Sequence, residues 1–298
     1  MFETISVFWL IVAIVSGILE AVTVSLFSLW FMIGAVVAFL FSLFFPQGII
    51  LQILLFIVFS ALSLFFIRPA VKKYVNDNGI KIIGDIPIYV AYDSADVWAH
   101  PELFQIDDER NPIAVAGCPP DGFSATGQLW GNPLYKWDYH KYTNYDWWIK
   151  RIERSVKLYD VVRIDHFRGF DEYYSIPAKD KDATGGHWEK GPGIDLFNGI
   201  KYCLGDINII AEDLGYITDT VRQLVKDSGF PNMKVLEFAF DSRDSSGPRD
   251  YLPYNYDKNC VVYTGTHDNE TLKGWLDDIE PEEVQMIEEY IGRKVETK

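Results

Sequence analysis

Three short β-branched runs in this chain each end in acidic residues: VVRIDHFRGF, IIAEDLG and TGTHDNET. They set Arg163 and Asp165, then Glu212 and Asp213, then His267 and Asp268 just past a buried-strand pattern. Acids in that position line the C-terminal rim of a parallel β/α sheet, where side chains from several strands converge on one ligand. The constraint governs only part of the chain, because the N-terminal stretch has the opposite character.

From Ala21 to Ile67 there is no charged residue, and residues 1–76 hold only Glu3, Glu20, Arg68, Lys72 and Lys73. As one helix the uncharged run would extend ~70 Å, over twice the thickness of a bilayer core. Pro46-Gln47-Gly48 supplies a break. The pattern predicts three hydrophobic transmembrane helices at about 5–23, 26–45 and 49–67, so that the membrane is a partner through residues 5–67. No basic segment precedes the first run, which argues against a signal peptide. Arg68, Lys72 and Lys73 follow the third run and place the remainder in the cytoplasm, with the N-terminus outside. Glu20 lies near an interface and is read as a boundary residue. With Thr23, Trp30-Phe31, Gly34-Ala35 and Arg68-Pro69 it gives a leader that resembles the membrane part of NfeD-like proteins, which accompany stomatin-like partners.

Charge narrows the function of the rest. The whole chain has 27 basic against 42 acidic residues, a net −15. The leader contributes more bases than acids, so the remainder is more acidic still, and nucleic-acid phosphates would be repelled. Cys118, Cys203 and Cys260 have no paired spacing, so neither a disulfide framework nor a zinc site is expected, and a reducing compartment fits.

Beyond Lys73 strand and helix patterns alternate. Strands are expected at Ile82–Ile86, Val161–Ile164, Ile207–Ala211, Val235–Phe240 and Cys260–Tyr263. Trp148, Ile149, Ile152, Val156 and Tyr159 form one helical stripe, and Leu196, Ile200, Cys203 and Leu204 a second. Thr218 reads as an N-cap, Val221, Leu224 and Val225 as a third stripe, and Gly229 with Pro231 as its stop. The alternation implies a parallel sheet with right-handed crossovers. The stretch 91–147 reads as a loop-rich insertion over the strand ends. It carries Trp98, Trp130, Trp137 and Trp147, with Trp148 directly after it, which suit either sugar faces or an ordinary core.

These groups suit cleavage of a glycosidic bond with retention. One carboxylate attacks the anomeric carbon and a second, typically ~5–5.5 Å away, protonates the leaving oxygen. Asp165 is the candidate nucleophile, since Arg163 two residues earlier shares its face of the strand and favours ionisation. Glu212, among Ile209, Ile210, Ala211 and Leu214, is the candidate acid, kept protonated by an apolar setting. Asp268 and His267 are placed to hold sugar hydroxyls as the ring flattens.

Residues from about 77 to 298 resemble the 4-α-glucanotransferases, the amylomaltase or disproportionating-enzyme family related to α-amylases. The resemblance runs through GDIPIYVAYDSADVWAHPELF, VAGCPPDGFSATGQLWGNPLY, VVRIDHFRGF, IIAEDLG and TGTHDNETLKGW. It implies Asp165 as nucleophile, Glu212 as acid/base and Asp268 as transition-state stabiliser. Arg163, Asp213, His267 and Asp85 would contact sugar, and the Asp121–Trp130 loop would cover the glucan through Asp121, Phe123, Gln128 and Trp130. Gly122 stands where some members carry an aromatic. The partners implied are α-1,4-glucans, and no metal or organic cofactor is implied.

The fold implied is a partial (β/α)8 barrel of TIM type lacking strands 1, 2 and 8, spanning 77–298 and preceded by the leader 1–76. Exposed edges make weak or absent catalysis the expectation, and the junction near residue 75 is read as a join of two genes rather than an evolved fusion. An α-glucan hydrolase, a glucan-binding module and a membrane interaction protein with a vestigial soluble part remain open as alternatives.

Overall fold

Pro46 and Gly48 keep the leader from forming one long helix, and the computed structural model of the protein has, among the described residues there, three helices: α1 (Thr4–Thr23), α2 (Leu29–Ser42) and α3 (Ile49–Asp77). The structure describes residues 4–23, 28–121, 124–215, 217–241 and 248–295. It consists of two units, Met1–Lys81 and Ile82–Lys298.

In the first unit Trp9 and Ala13 of α1 pack with Ala35 and Ala38 of α2. The buried Trp9 indole donates to Gln52 Oε1 at 2.9 Å, and Gln52 Nε2 donates to the Phe45 carbonyl at 2.9 Å. A polar clamp therefore sets the register of α1, the turn and α3. Many apolar side chains of all three helices face outward, among them Ile11, Leu40 and Leu54. The expectation of three spans needs correction. Among the described residues one helix, through the 18-residue window Ile49–Phe66, is long and apolar enough to cross a membrane by length and composition. The 14 residues of α2 reach only ~21 Å, short of a hydrocarbon core of ~30 Å. The described apolar stretch of α1, Thr4–Leu19, is also too short. The side chains of Glu20 and Thr23 lie outside the described residues.

The second unit opens with β1 (Ile83–Pro87), α4 (Ala95–Ala99), β2 (Ala114–Cys118), β3 (Gln128–Pro133), α5 (Trp137–Tyr142) and α6 (Asp146–Leu158). There follow β4 (Val161–Asp165), β5 (Glu172–Pro177), β6 (His187–Lys190), α7 (Ile194–Leu204), β7 (Ile209–Ala211) and α8 (Asp219–Ser228). The chain continues through β8 (Asn232–Val235), β9 (Cys260–Tyr263), α9 (Leu272–Asp278) and α10 (Pro281–Ile291). Strands β1, β4, β7, β8 and β9 form a parallel sheet in that order. Sequential order with helical crossovers is the arrangement that an alternating β/α pattern dictates. The result is a mixed α/β fold with a parallel sheet.

The stripes read from the sequence do the packing. Trp148 and Ile152 of α6, Leu196 and Ile200 of α7, and Leu224 and Val225 of α8 bury against Val162, Ile164 and Ala211 in one core. Thr218 caps α8 by accepting the Val221 N–H, and Gly229 at φ 75° closes it. One strand is displaced from its expected place. The ladder takes Asn232–Val235, and Leu236–Phe240 turns into a 3-10 helix. Stretch 91–147 is also more ordered than a loop-rich insertion. Strands β2 and β3 join β5 and β6 in an antiparallel sheet of order β3-β2-β5-β6. The tryptophans in and just after it divide: Trp148 is fully buried, Trp137 and Trp147 pack on the core, and Trp98 is exposed.

Candidate active site

The period-two alternation of strands decides which side chains meet. On β1 and β4, Gly84, Ile86, Val162 and Ile164 are buried, while Asp85, Arg163 and Asp165 take the opposite face. The parallel register sets Asp85 beside Arg163. Arg163 bridges two carboxylates, donating from Nη1 to Asp85 Oδ2 at 2.6 Å and from Nη2 to Asp165 Oδ1 at 2.8 Å. Its Nε faces Met233 Sδ at 3.3 Å. The guanidinium side chain is only 11% exposed, whereas both carboxylates are nearly half exposed.

Sequence reasoning expects Arg163 to hold Asp165 below the usual carboxylate range. The structure reverses that direction. Burial raises the Asp165 pKa, Arg163 opposes the rise, and the negative charges of Asp85 and Asp268 add to it. Partial desolvation thus outweighs one shared guanidinium, which has two carboxylates to satisfy.

Glu212 stands one residue past β7 and is 8% exposed. Burial pushes its carboxyl up to about 7. Its two oxygens each accept a backbone N–H, Oε2 from His166 at 2.6 Å and Oε1 from Leu214 at 2.8 Å, and these restrain the rise. The His166 donor is aimed by an uncommon backbone. His166 lies in the left-handed region, φ 53° and ψ 49°, immediately after Asp165. A non-glycine residue there costs roughly 1–3 kcal/mol and persists only where its surroundings enforce it. The enforcing contacts are the bond to Glu212, the Phe167 N–H to the Glu212 carbonyl at 2.9 Å, and Trp130 edge-on to the imidazole at 4.9 Å. Burial lowers the imidazole pKa to about 3, so the ring is neutral. The motif singled out Asp165 and passed over His166, and only its backbone angle reveals the role.

Other candidates divide between this cluster and other places. Asp268 follows β9 on an exposed turn, where its N–H donates to Thr266 Oγ1 at 3.3 Å, and its charge acts on Asp165. His267 Nε2 lies 3.5 Å from Asp268 Oδ1. Trp130, joined to Gln128 by an indole hydrogen bond of 3.0 Å, reaches the cluster through His166 and Tyr89. Asp121 accepts the Ser124 N–H at 2.8 Å and so caps its own turn. Asp213 does not join the cluster: its carboxylate accepts the Met233 N–H at 3.0 Å and ties β7 to β8. Phe123 and Gly122 lie outside the described residues.

A buried acid poised near neutrality beside a half-exposed carboxylate pair, at the C-terminal ends of parallel strands, defines an α/β protein whose site suits acid–base and nucleophilic chemistry. The family described as 4-alpha-glucanotransferase matches residues 55–298. A 4-alpha-glucanotransferase of Clostridium butyricum is 58% identical over 207 residues, covering 69% of this chain and 42% of that one. The chloroplastic/amyloplastic 4-alpha-glucanotransferase of Solanum tuberosum is 48% identical over 237 residues, 79% of this chain and 41% of its own. Among solved structures, an amylomaltase from Streptococcus agalactiae in complex with acarbose superposes with a TM-score of 0.72 at 47% identity, over 80% of this chain and 48% of that one. The chain belongs to the 4-alpha-glucanotransferase family. It spans less than half the length of the relatives it matches. The match begins inside α3, and the likeness of residues 1–76 to NfeD-like membrane proteins finds no support in these comparisons.

Proposed function

We propose that this chain carries the catalytic centre of a 4-α-glucanotransferase, which moves α-1,4-glucan segments between maltooligosaccharides by double displacement. In this reading residues 77–298 are the five-stranded part of a (β/α)8 barrel, with strands 1, 2 and 8 not among them. The observation that carries it is Glu212, buried one residue past β7 with both oxygens held by backbone N–H groups. Burial there pushes its carboxyl up to about 7, suited to giving and taking a proton at neutral pH.

In the first step an Asp165 oxygen bonds to the anomeric carbon as the bond from that carbon to the glycosidic oxygen breaks. Glu212 supplies the proton to the departing oxygen. In the second step a glucan 4-hydroxyl attacks the glucosyl–Asp165 ester, loses its proton to Glu212 and frees the Asp165 carboxylate. Arg163 and Asp85 hold Asp165 in place, Asp268 and His267 bind ring hydroxyls, and the face of Trp130 covers the sugar. The acarbose complex of the similar amylomaltase supports this choice of substrate. A hydrolase differs only in letting water take the acceptor's place.

Incubation of the full chain with maltotriose tests the reading. Glucose together with a ladder of longer maltooligosaccharides, lost in Asp165→Ala, is expected. With β1 and β9 at the edges of the parallel sheet among the described residues, the ladder should build slowly. Glucose and maltose without longer products would indicate hydrolysis. No product, with saturable heat on titrating maltoheptaose, would reduce the chain to a glucan-binding module. For the first unit, the window Ile49–Phe66 supports one membrane-attaching helix, and Arg68, Lys72 and Lys73 beyond it would set the centre on the cytoplasmic side. Release of the full chain from vesicles by alkaline carbonate would remove that part of the reading.

A further inference from the structure

We propose that Glu237 is a positioning residue, whose buried carboxyl underpins Gly265 and thereby sets the turn that presents Asp268 to Asp165. The inference rests on the transferase reading of the site and adds a residue that the strand-end motifs do not contain.

Glu237 lies in the 3-10 helix Leu236–Phe240 that follows β8. It is 4% exposed, and its Oε1 is buried without a hydrogen-bond partner among the described residues. A buried polar atom left unpaired works against folding, so a carboxyl at this place needs a reason other than stability. Its neighbour supplies one. A Cβ built on Gly265 would meet Glu237 Oε1 at 2.8 Å and Oε2 at 2.9 Å. The flat carboxyl therefore lies against Gly265, and a side chain on residue 265 would require the carboxyl to shift.

Backbone contact reinforces the side chain. The Glu237 N–H donates to the Thr264 carbonyl at 3.1 Å, immediately before Gly265. From there the turn is self-braced: the Thr266 N–H and hydroxyl both reach Asn269 Oδ1 at 2.9 Å, and the Asp268 N–H reaches Thr266 Oγ1 at 3.3 Å. Gly265 enters this braced turn, and glycine has no side chain to restrict its angle. The Glu237 carboxyl closes that freedom from beneath. Burial also raises the pKa of the Glu237 carboxyl. The chemical consequence is at Asp268, whose charge acts on the proposed nucleophile.

Hydrogen–deuterium exchange of the full chain, with Glu237→Ala, Glu237→Gln, Gly265→Ala and the Glu237→Ala/Gly265→Ala pair, tests the proposal. Glu237→Ala should speed exchange at least tenfold in peptides covering 264–269 and leave those across β4 and β7 unchanged. Glu237→Gln, which keeps the flat group, should restore protection. The pair should be better protected than either alanine variant alone, since the methyl group at 265 occupies space that the carboxyl leaves. In the maltotriose assay Glu237→Ala should lower kcat with KM little changed, again rescued by glutamine. Unaltered exchange over 264–269 in Glu237→Ala, additive behaviour of the pair, or loss spread evenly over β4 and β7 would each overturn it. A wild-type chain without transfer would sink the transferase reading and leave the exchange measurement to judge the contact.

Discussion

The backbone N–H of His166 is bonded to Glu212 Oε2 at 2.6 Å, which links the residue after the proposed nucleophile directly to the proposed acid. Two neighbouring strands thus share one structural element: the left-handed turn that ends β4 is also a ligand of the carboxyl that ends β7. Disturbing either residue should therefore be felt at the other.

The raised Glu212 pKa makes a stability prediction with a definite sign. Its folded value, about 7, exceeds the ordinary 4.5, so the folded chain holds the proton more tightly than the unfolded chain. That contribution is fully present below pH 4.5 and is lost as pH rises through 7. For this nearly buried group the swing is roughly 3 kcal/mol. Glu212→Gln removes the titration, so its melting temperature relative to wild type should climb between pH 5 and pH 8. Thermal melts at both ends of that window check it, and a constant difference would mean that the carboxyl does not titrate there.

The parallel sheet was legible because buried strands such as VVRID carry their own signature, and the stripe Val221, Leu224, Val225 with its Thr218 cap fixed α8. The antiparallel sheet was not. Strand β6, HWEK, is largely exposed and polar, and β2, AVAGC, is buried nearly throughout with small residues, so neither alternates. The apolar run VLEFAF hid two facts at once. Hydrophobicity alone could not show that the ladder ends at Val235, nor that the glutamate within it turns inward against Gly265. At the site, residue types pointed to Asp165 and Glu212. The strain at His166 and the diversion of Asp213 to Met233 depend on backbone geometry that no short motif encodes.

Arg163 should couple Asp85 to Asp165. Removing it in Arg163→Met leaves two carboxylates adjacent without their shared cation. Charged hydrogen bonds contribute about 1.5–3 kcal/mol, and the near-half exposure of both acids reduces this, so a loss of about 1–2 kcal/mol is expected. In Arg163→Met/Asp85→Asn the loss should be smaller than the sum of the single changes, because one of the unpaired charges is gone. Urea unfolding of the four proteins measures the cycle, and strict additivity would show that Arg163 does not mediate between them.

In the first unit, Gln52→Leu should destabilise out of proportion to the change in size. It strands the buried Trp9 indole N–H and withdraws a donor from the Phe45 carbonyl. An unsatisfied buried group costs about 1–3 kcal/mol. Trp9→Phe combined with Gln52→Leu removes the stranded donor and should recover part of the loss. Comparing the two variants by resistance to proteolysis of residues 4–77 in the full chain checks this, and equal sensitivity would place the indole bond outside the forces that hold the helices.

The strain at His166 can be separated from its contacts by substituting it twice. Alanine and glycine both delete the imidazole and the edge-on contact with Trp130, worth about 0.5–1.5 kcal/mol. Both keep the N–H that serves Glu212. They differ at the backbone, because only alanine pays for φ 53°, at roughly 1–2 kcal/mol. Glycine also gains entropy in the unfolded chain, which offsets up to ~1 kcal/mol of that advantage. His166→Gly should therefore equal or exceed His166→Ala in stability, against the usual order of these residues in ordered structure. Should the alanine variant prove the more stable by ~1 kcal/mol, residue 166 would not hold a left-handed angle in solution. The bond to Glu212 would then lose the geometry that aims it.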